Sequence, residues 1–249
     1  MLKIKKLTKK FGDLTAIKDI NLEIKKGEFF TLIGPNGSGK TTMIKNILGL
    51  IHPSSGDVLI NNKSIKKDPL EAKKKMGYIP DEPKIWSHIT GEEFLYFSGA
   101  LYDMKKEVVK EKIPKLLANF DLKGVEKNYF ENYSRGNKQK FTILAALLHE
   151  PDLILVDEPI VGLDPQSAET AMRLLTDFTK SGGTVFMTTH TLAVAEKHSS
   201  KVGILYQGLL SETGSIKELR DKAGDKNASL LKLYFNFSKN VQTDTDLLS

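Results

Sequence analysis

The sequence predicts an α/β fold with a parallel sheet at its core, an antiparallel β subdomain near its start and an inserted helical subdomain. Three observations carry this expectation. "FFTLI" at 29–33, "LILV" at 153–156, "TVFMT" at 184–188 and "VGILY" at 202–206 read as short buried strands, and a helical segment at 166–180 separates two of them. Strands alternating with helices argue for a parallel sheet. Earlier, Ile20, Leu22 and Ile24 alternate with polar neighbours in "DINLEIKKGE", the period-2 pattern of a half-buried strand ending at a turn that contains Gly27. From about Lys84 to residue 149 the pattern becomes helical. "TGEEFLYFSGALY" opens with Thr90 and Glu93 at capping-box spacing and sets Phe94, Leu95, Phe97 and Leu101 on one apolar face.

The remaining elements follow in order. After "FFTLI" comes a Gly-rich loop, then Met43, Ile44, Ile47 and Leu48 at helical spacing, giving strand, loop, helix. "GDVLINNKSI" reads as a hairpin about Asn61 and Asn62, and "MGYI" at 76–79 as a strand. No internal repeat occurs, so residues 1–221 are expected to form one functional unit, and residues 222–249 a tail of weak periodicity with no assigned role.

Composition narrows the function classes. With 249 residues and 40% apolar content the chain is an ordinary globular protein. It holds no cysteine, which excludes disulfides, thiolate metal sites and cysteine nucleophiles. The basic start "MLKIKKLTKKFG" is followed by no apolar run of signal-peptide length, and the longest apolar stretches are broken by charge, as in "LILVDEPIVGLD". Neither a secretory signal nor a membrane span is expected. The net charge is +6, with sixteen lysines against seven acidic residues in positions 1–75. A basic face of this kind suits an anionic bilayer surface, but the lysine runs lack interleaved aromatics, so no specific nucleic acid is expected.

"GPNGSGKT", Gly34 to Thr41, matches G-x-x-x-x-G-K-[ST]. A chance match in a chain of this size is on the order of 1%, and a strand before it with a helix after it is the setting in which backbone N–H groups and a helix N-terminus converge on phosphate. Gly37 and Gly39 let the backbone wrap closely, Lys40 can reach the terminal phosphates, and the Thr41 hydroxyl can ligate Mg²⁺. At the end of "LILVDEP", Asp157 is the candidate for holding Mg²⁺ through water, and Glu158 for the general base that activates water. "VFMTTHTL" delivers His190 to the same sheet edge, within reach of a γ-phosphate. The other histidines and Trp86 stand in no such setting.

Taken together these residues resemble the ATP-binding cassette (ABC) ATPases, over about residues 2–220 and in the family's motif order. "GPNGSGKT" is similar to the Walker A motif, "LILVDE" to Walker B, "GLDP" at 162–165 to the D-loop and "TTH" to the switch histidine. "YSRGNKQK" at 133–140 stands where the family keeps its LSGGQ signature. The resemblance implies a P-loop NTPase with a RecA-like parallel core that binds and hydrolyses ATP with Mg²⁺. It also implies that two domains pair head to tail, the signature of one covering the nucleotide of the other. On that pattern ATP would contact Phe11, stacked on adenine in place of the usual Tyr, together with Gly34, Asn36, Gly37, Ser38, Gly39, Lys40, Thr41 and Thr42. Asp81 would lie on the metal side, and Ser134, Gly136 and Asp164 would reach across the dimer.

Besides Phe11, the sequence departs from the family in the signature and in the Q-loop. Arg135 replaces the first glycine of the signature and Asn137 its glutamine, and "PDEP" puts Asp81 where the Q-loop usually offers Gln. "GYIPDEP" and "YSRGNKQK" are similar to bacterial export-type (Ecs-like and ABC-2) subunits. The expected partners are a separately encoded transmembrane permease and a second nucleotide-binding subunit, which would place the chain peripherally at the cytoplasmic membrane face. A soluble ABC ATPase, for example in iron–sulfur assembly, is the alternative.

Overall fold

The computed structural model describes residues 1–246 and, within the last helix, side chains through residue 238. Two sheets form. The first is antiparallel, in the order β2-β1-β4-β5, from β1 (Leu2–Phe11), β2 (Leu14–Ile24), β4 (Ser55–Ile60) and β5 (Lys63–Ser64). Its last turn has Asn61 and Asn62 at φ 48° and 64°, the left-handed pair that matches the twist of a two-residue hairpin. The second has the order β10-β9-β3-β8-β7-β6, from β3 (Phe29–Ile33), β6 (Met76–Ile79), β7 (Leu153–Asp157), β8 (Thr184–Thr189), β9 (Lys201–Tyr206) and β10 (Leu209–Gly214). All its neighbours are parallel except β9 and β10. Strands β3, β7 and β8 are buried along their whole length, which explains why they read as unbroken apolar runs.

Three cores flank this sheet. Between the antiparallel sheet and one face of the parallel one, Met43, Ile44 and Ile47 of α1 (Lys40–Ile47) pack with Ile4, Ile20, Leu155 and Phe186. On the other face, α3 (Gly91–Leu101), α4 (Lys106–Ala118), α5 (Arg135–Leu148) and α6 (Pro165–Lys180) enclose a second core around Phe130, Phe141, Ile154 and Val185. The short helix α2 (Pro69–Lys73) leads into β6. Thr90 and Glu93 do form a reciprocal capping box at the start of α3, but the apolar face of that helix differs from the expected one. Leu95, Ser98 and Gly99 turn inward, and Gly99 has no room for a Cβ beside Val109. Phe97 and Leu101 stay 41% and 63% exposed, because the inward side of the helix, which meets α4 at Gly99, is the one carrying the small residues Ser98 and Gly99.

The third core belongs to the end of the chain. α8 (Ile216–Lys222) and α9 (Leu230–Asp246) lie against β10, α9 also against β9, and α7 (Leu192–His198) packs on β3, β8 and α9. Ala228, Leu230, Leu233 and Phe237 are buried with Ile33, Val202 and Ile204. Residues beyond 222 are therefore packed into the fold as far as residue 238, and the weak periodicity of that stretch hid an amphipathic helix.

Candidate nucleotide site

β3, β6, β7 and β8 all release their following loops at one edge of the sheet, the carboxyl ends where parallel sheets hold ligands. β3 leads into the Gly34–Thr41 loop. A Cβ on Gly34 would sit 2.3 Å from the Leu205 carbonyl oxygen, and one on Gly39, whose φ is +108°, would sit 2.7 Å from that of Ala16. Side chains at these positions would push the loop off the sheet, so glycine fixes its path. α1 then starts at Lys40 with no side-chain cap and no acidic residue in its first turn, leaving its N–H groups and positive end open to an anion. The Ser38 Oγ is buried with no hydrogen-bond partner. An orphaned donor behind an uncapped helix start fits phosphate.

Lys40 folds onto its own loop, donating to the Gly34 carbonyl at 2.8 Å and that of Pro35 at 3.0 Å. Burial pushes its ammonium below the usual lysine range, while the Glu158 and Asp157 carboxylates pull it back. Asp157 is buried at the end of β7, where Thr188 donates to its Oδ1 at 2.5 Å and Thr41 also bonds its carboxyl. Burial raises its pKa above the carboxylate range, opposed by the Thr188 and Thr41 bonds and reinforced by the charges of Glu158 and Asp81. A carboxylate held this way gains from a cation.

Glu158 has φ 48°, a costly conformation for a side chain of this size. It is held there by its N–H, which donates to the Thr188 carbonyl at 3.1 Å. Its carboxylate accepts from the His190 N–H at 3.0 Å and from Thr189 Oγ1 at 3.0 Å, and faces His190 Nδ1 at 2.8 Å. The acid and the imidazole expected at separate strand ends are thus in direct contact.

These groups line one open cleft of about 760 Å³. Of the residues expected at the nucleotide, Phe11, Asn36, Gly37, Gly39, Lys40, Thr41, Thr42, Asp81, Asp157, Glu158 and His190 line it. Gly34 and Ser38 lie behind the loop wall. Ser134, Gly136 and Asp164 are outside the cleft of their own chain. Ser134 caps α5, accepting from the Asn137 N–H at 3.2 Å. Asp164 caps α6, and hydrogen bonds from Ser167 hold its carboxyl below the usual range. Phe11 is half exposed, with Lys9 Nζ 4.9 Å over its ring.

Sequence reading missed the far wall. Leu14, Thr15, Ala16, Gln207 and Gly208 complete the cleft. Gln207 and Gly208, at φ 48° and 78°, form the turn of the β9–β10 hairpin, and the Lys18 N–H donates to the Gly208 carbonyl at 2.9 Å. The signal was a Gly-ending dipeptide between two apolar runs.

Among the described residues no three His, Cys, Asp or Glu side chains cluster as a metal cage. The oxygens of Thr41, Asp157 and Asp81 instead suit Mg²⁺, which is commonly held by one or two carboxylates with substrate phosphates and water completing the shell.

A phosphate loop, two acids and a histidine on the carboxyl edge of a parallel sheet define a P-loop nucleotide hydrolase. The family model described as "ABC transporter" matches residues 17–161, and this chain belongs to that family. It is 34% identical over 239 residues to the ABC-type transporter ATP-binding protein EcsA of Bacillus subtilis, covering 96% of this chain and 97% of EcsA. A solved ATP-binding subunit of an ABC transporter superposes with TM-score 0.92 at 31% identity, over 96% of this chain and 99% of that one. The ATP-binding cassette MJ0796, solved as a dimer in a post-hydrolysis state with ADP and Pi, superposes with TM-score 0.79 at 30% identity, over 87% and 99%. The protein is an ABC-type ATPase, the ATP-binding and hydrolysing subunit of a membrane transporter.

Proposed function

We propose that two cassettes close head to tail on ATP and that Ser134, Gly136 and Asp164 of each complete the cleft of the other. The observation carrying this is the one-sidedness of the cleft: the phosphate loop, acids and histidine line it, while Ser134, Gly136 and Asp164 do not. In this reading Lys40 leaves the Gly34 and Pro35 carbonyls for the terminal phosphates, and the Gly34–Thr41 backbone cradles them. Thr41, Asp157 and Asp81 are the residues that would hold Mg²⁺, which would supply positive charge against the terminal phosphates. Glu158 takes the proton of the attacking water, and His190, fixed against Glu158, bonds the γ-phosphate. Phe11 offers a ring face to adenine. The Ser134 hydroxyl, the Gly136 N–H and the α5 N-terminus then reach the γ-phosphate across the interface.

A membrane permease is the proposed partner, and export the proposed direction, on the likeness of "GYIPDEP" and "YSRGNKQK" to export-type subunits. No helix of the described residues is long and apolar enough to cross a membrane; in this reading the chain attaches peripherally, through the permease. The docking face would be the exposed rim of the helical subdomain. There Trp86, 63% exposed, meets Phe97 edge-on at 5.1 Å beside Leu101, a patch suited to an apolar helix.

Two experiments test this reading. Glu158→Gln with ATP and Mg²⁺ should run as a dimer in size exclusion, and adding Ser134→Arg should return it to monomer; indifference to both would remove the shared site. Purification of the tagged protein from detergent-solubilised membranes should bring a multi-span protein in near-equal amount. Recovery with soluble partners alone would move the protein to the non-transport class.

A further inference from the structure

Two of the departures from the family pattern, Arg135 and Asp81, meet in space. Arg135 Nη2 donates to Asp81 Oδ1 at 3.3 Å, joining the signature to the loop after β6. Both side chains are half exposed, at 52% and 49%. Asp81 also lines the nucleotide cleft, so a single carboxylate stands between the metal side of the cleft and the start of the signature helix.

Helix polarity explains the pairing. Arg135 is the first residue of α5, whose first turn holds no acidic side chain, and a cation at the positive end of a helix is unfavourable without a counter-charge. Asp81 supplies it. A second link runs alongside, where the buried Gln139 side chain donates to the Pro80 carbonyl at 2.9 Å. The two differ in kind: the Gln139 bond is buried and costly to break, whereas an exposed ion pair is weak and screened. The Arg135 stem also lies over Gly162, where a Cβ would sit 3.0 Å from its Cδ, so its freedom is felt by the D-loop as well.

We propose that Arg135 is a positioning residue that competes with the nucleotide's metal ion for the Asp81 carboxylate, so that loading one subunit's cleft frees the signature arginine which that subunit presents to its partner. The proposal rests on the reading of Asp81 as a metal-side oxygen. Competition for one carboxylate is reciprocal: engagement of Arg135 across the dimer releases Asp81 to the metal of its own cleft. Each site then senses, through one ion pair, whether the other is filled.

The test is binding of a fluorescent trinitrophenyl-ADP, which lacks the γ-phosphate needed to close the dimer, titrated with Mg²⁺. Arg135→Gln, which keeps the stem over Gly162, should lower the half-saturating Mg²⁺ concentration about two- to fivefold, and Arg135→Lys should restore it. Asp81→Asn should raise it, and the double variant should match Asp81→Asn alone. Affinity without metal and the melting temperature serve as fold controls. An unchanged Mg²⁺ requirement in Arg135→Gln, or an equal change in the Asp81→Asn background, would overturn the competition while leaving Asp81 at the metal. An unchanged requirement in Asp81→Asn would instead remove Asp81 from the metal side and take both ideas with it.

Discussion

The phosphate loop and the signature are two halves of one proposed site, yet they are held by different means. Around the loop, position is set by main chain: Gly34 and Gly39 leave no space for a Cβ against the carbonyls of Leu205 and Ala16, and the buried strands β3, β7 and β8 fix the origin of every loop. Around the signature, the links to the cleft wall are made by side chains, the exposed ion pair of Arg135 with Asp81 and the buried bond from Gln139 to Pro80. Backbone constraint gives a cleft ready before ligand arrives. Side-chain constraint gives a half that can shift when its partner approaches.

The contrast can be broken at several strengths. The largest effect is expected at the acid. Glu158→Gln should lower the phosphate-release rate by about 10²–10⁴ with nucleotide affinity kept; a loss below tenfold would hand the base role to another group. Next, Gly39→Ala should destabilise the fold by about 2–4 kcal/mol and abolish nucleotide binding, since the added methyl meets main chain and φ is positive. Gly136→Ala, whose Cβ would sit 3.0 Å from the Gly162 carbonyl, should cost about 1 kcal/mol and spare nucleotide binding while weakening the ATP-induced dimer. Equal losses of nucleotide affinity in both would erase the distinction between the two halves.

Smaller and opposite in sign is Asp157→Asn. The folded pKa of Asp157 is raised by burial, so the native chain keeps a proton at pH values just above the usual carboxylate range where the unfolded chain has lost it. Native stability therefore falls as pH rises through that window. Asn keeps the Thr188 bond without the charge. At neutral pH and without nucleotide the variant should melt about 2–4 °C higher, and the gain should vanish toward acid pH, as read by calorimetry. The smallest change is expected from Arg135→Gln, under about 1 kcal/mol in thermal stability, because both partners of its ion pair are half exposed.

Much of this was legible in the sequence where the signal is local. "GPNGSGKT" between a strand and a helix, and acids at the end of "LILV", depend on order along the chain, and the structure brings Lys40, Thr41, Asp157, Glu158 and His190 to one cleft. What was not legible depends on pairing between distant segments. The wall from Ala16 and Gly208 exists because β2 meets the β9–β10 turn. The contact between Arg135 and Asp81 spans 54 positions; each departure was visible alone, but nothing local announced that one answers the other. Phe97 and Leu101 fit helical spacing, and periodicity does not say whether an apolar stripe faces a core or open solvent.

The packing of the last helix decides where the chain can be cut. Residue 221 is the boundary that composition suggests, yet Leu230, Leu233 and Phe237 cover Ile33 and Ile204, and Ile33 is the strand residue directly before the phosphate loop. A chain stopped at 221 would leave that strand end facing water with nothing to replace the missing side chains. Such a product is expected to collect in inclusion bodies, so a trimming experiment meant to isolate the catalytic unit would read as loss of expression. Shortening the chain, or attaching a label to it, therefore has to leave the residues through 238 in place.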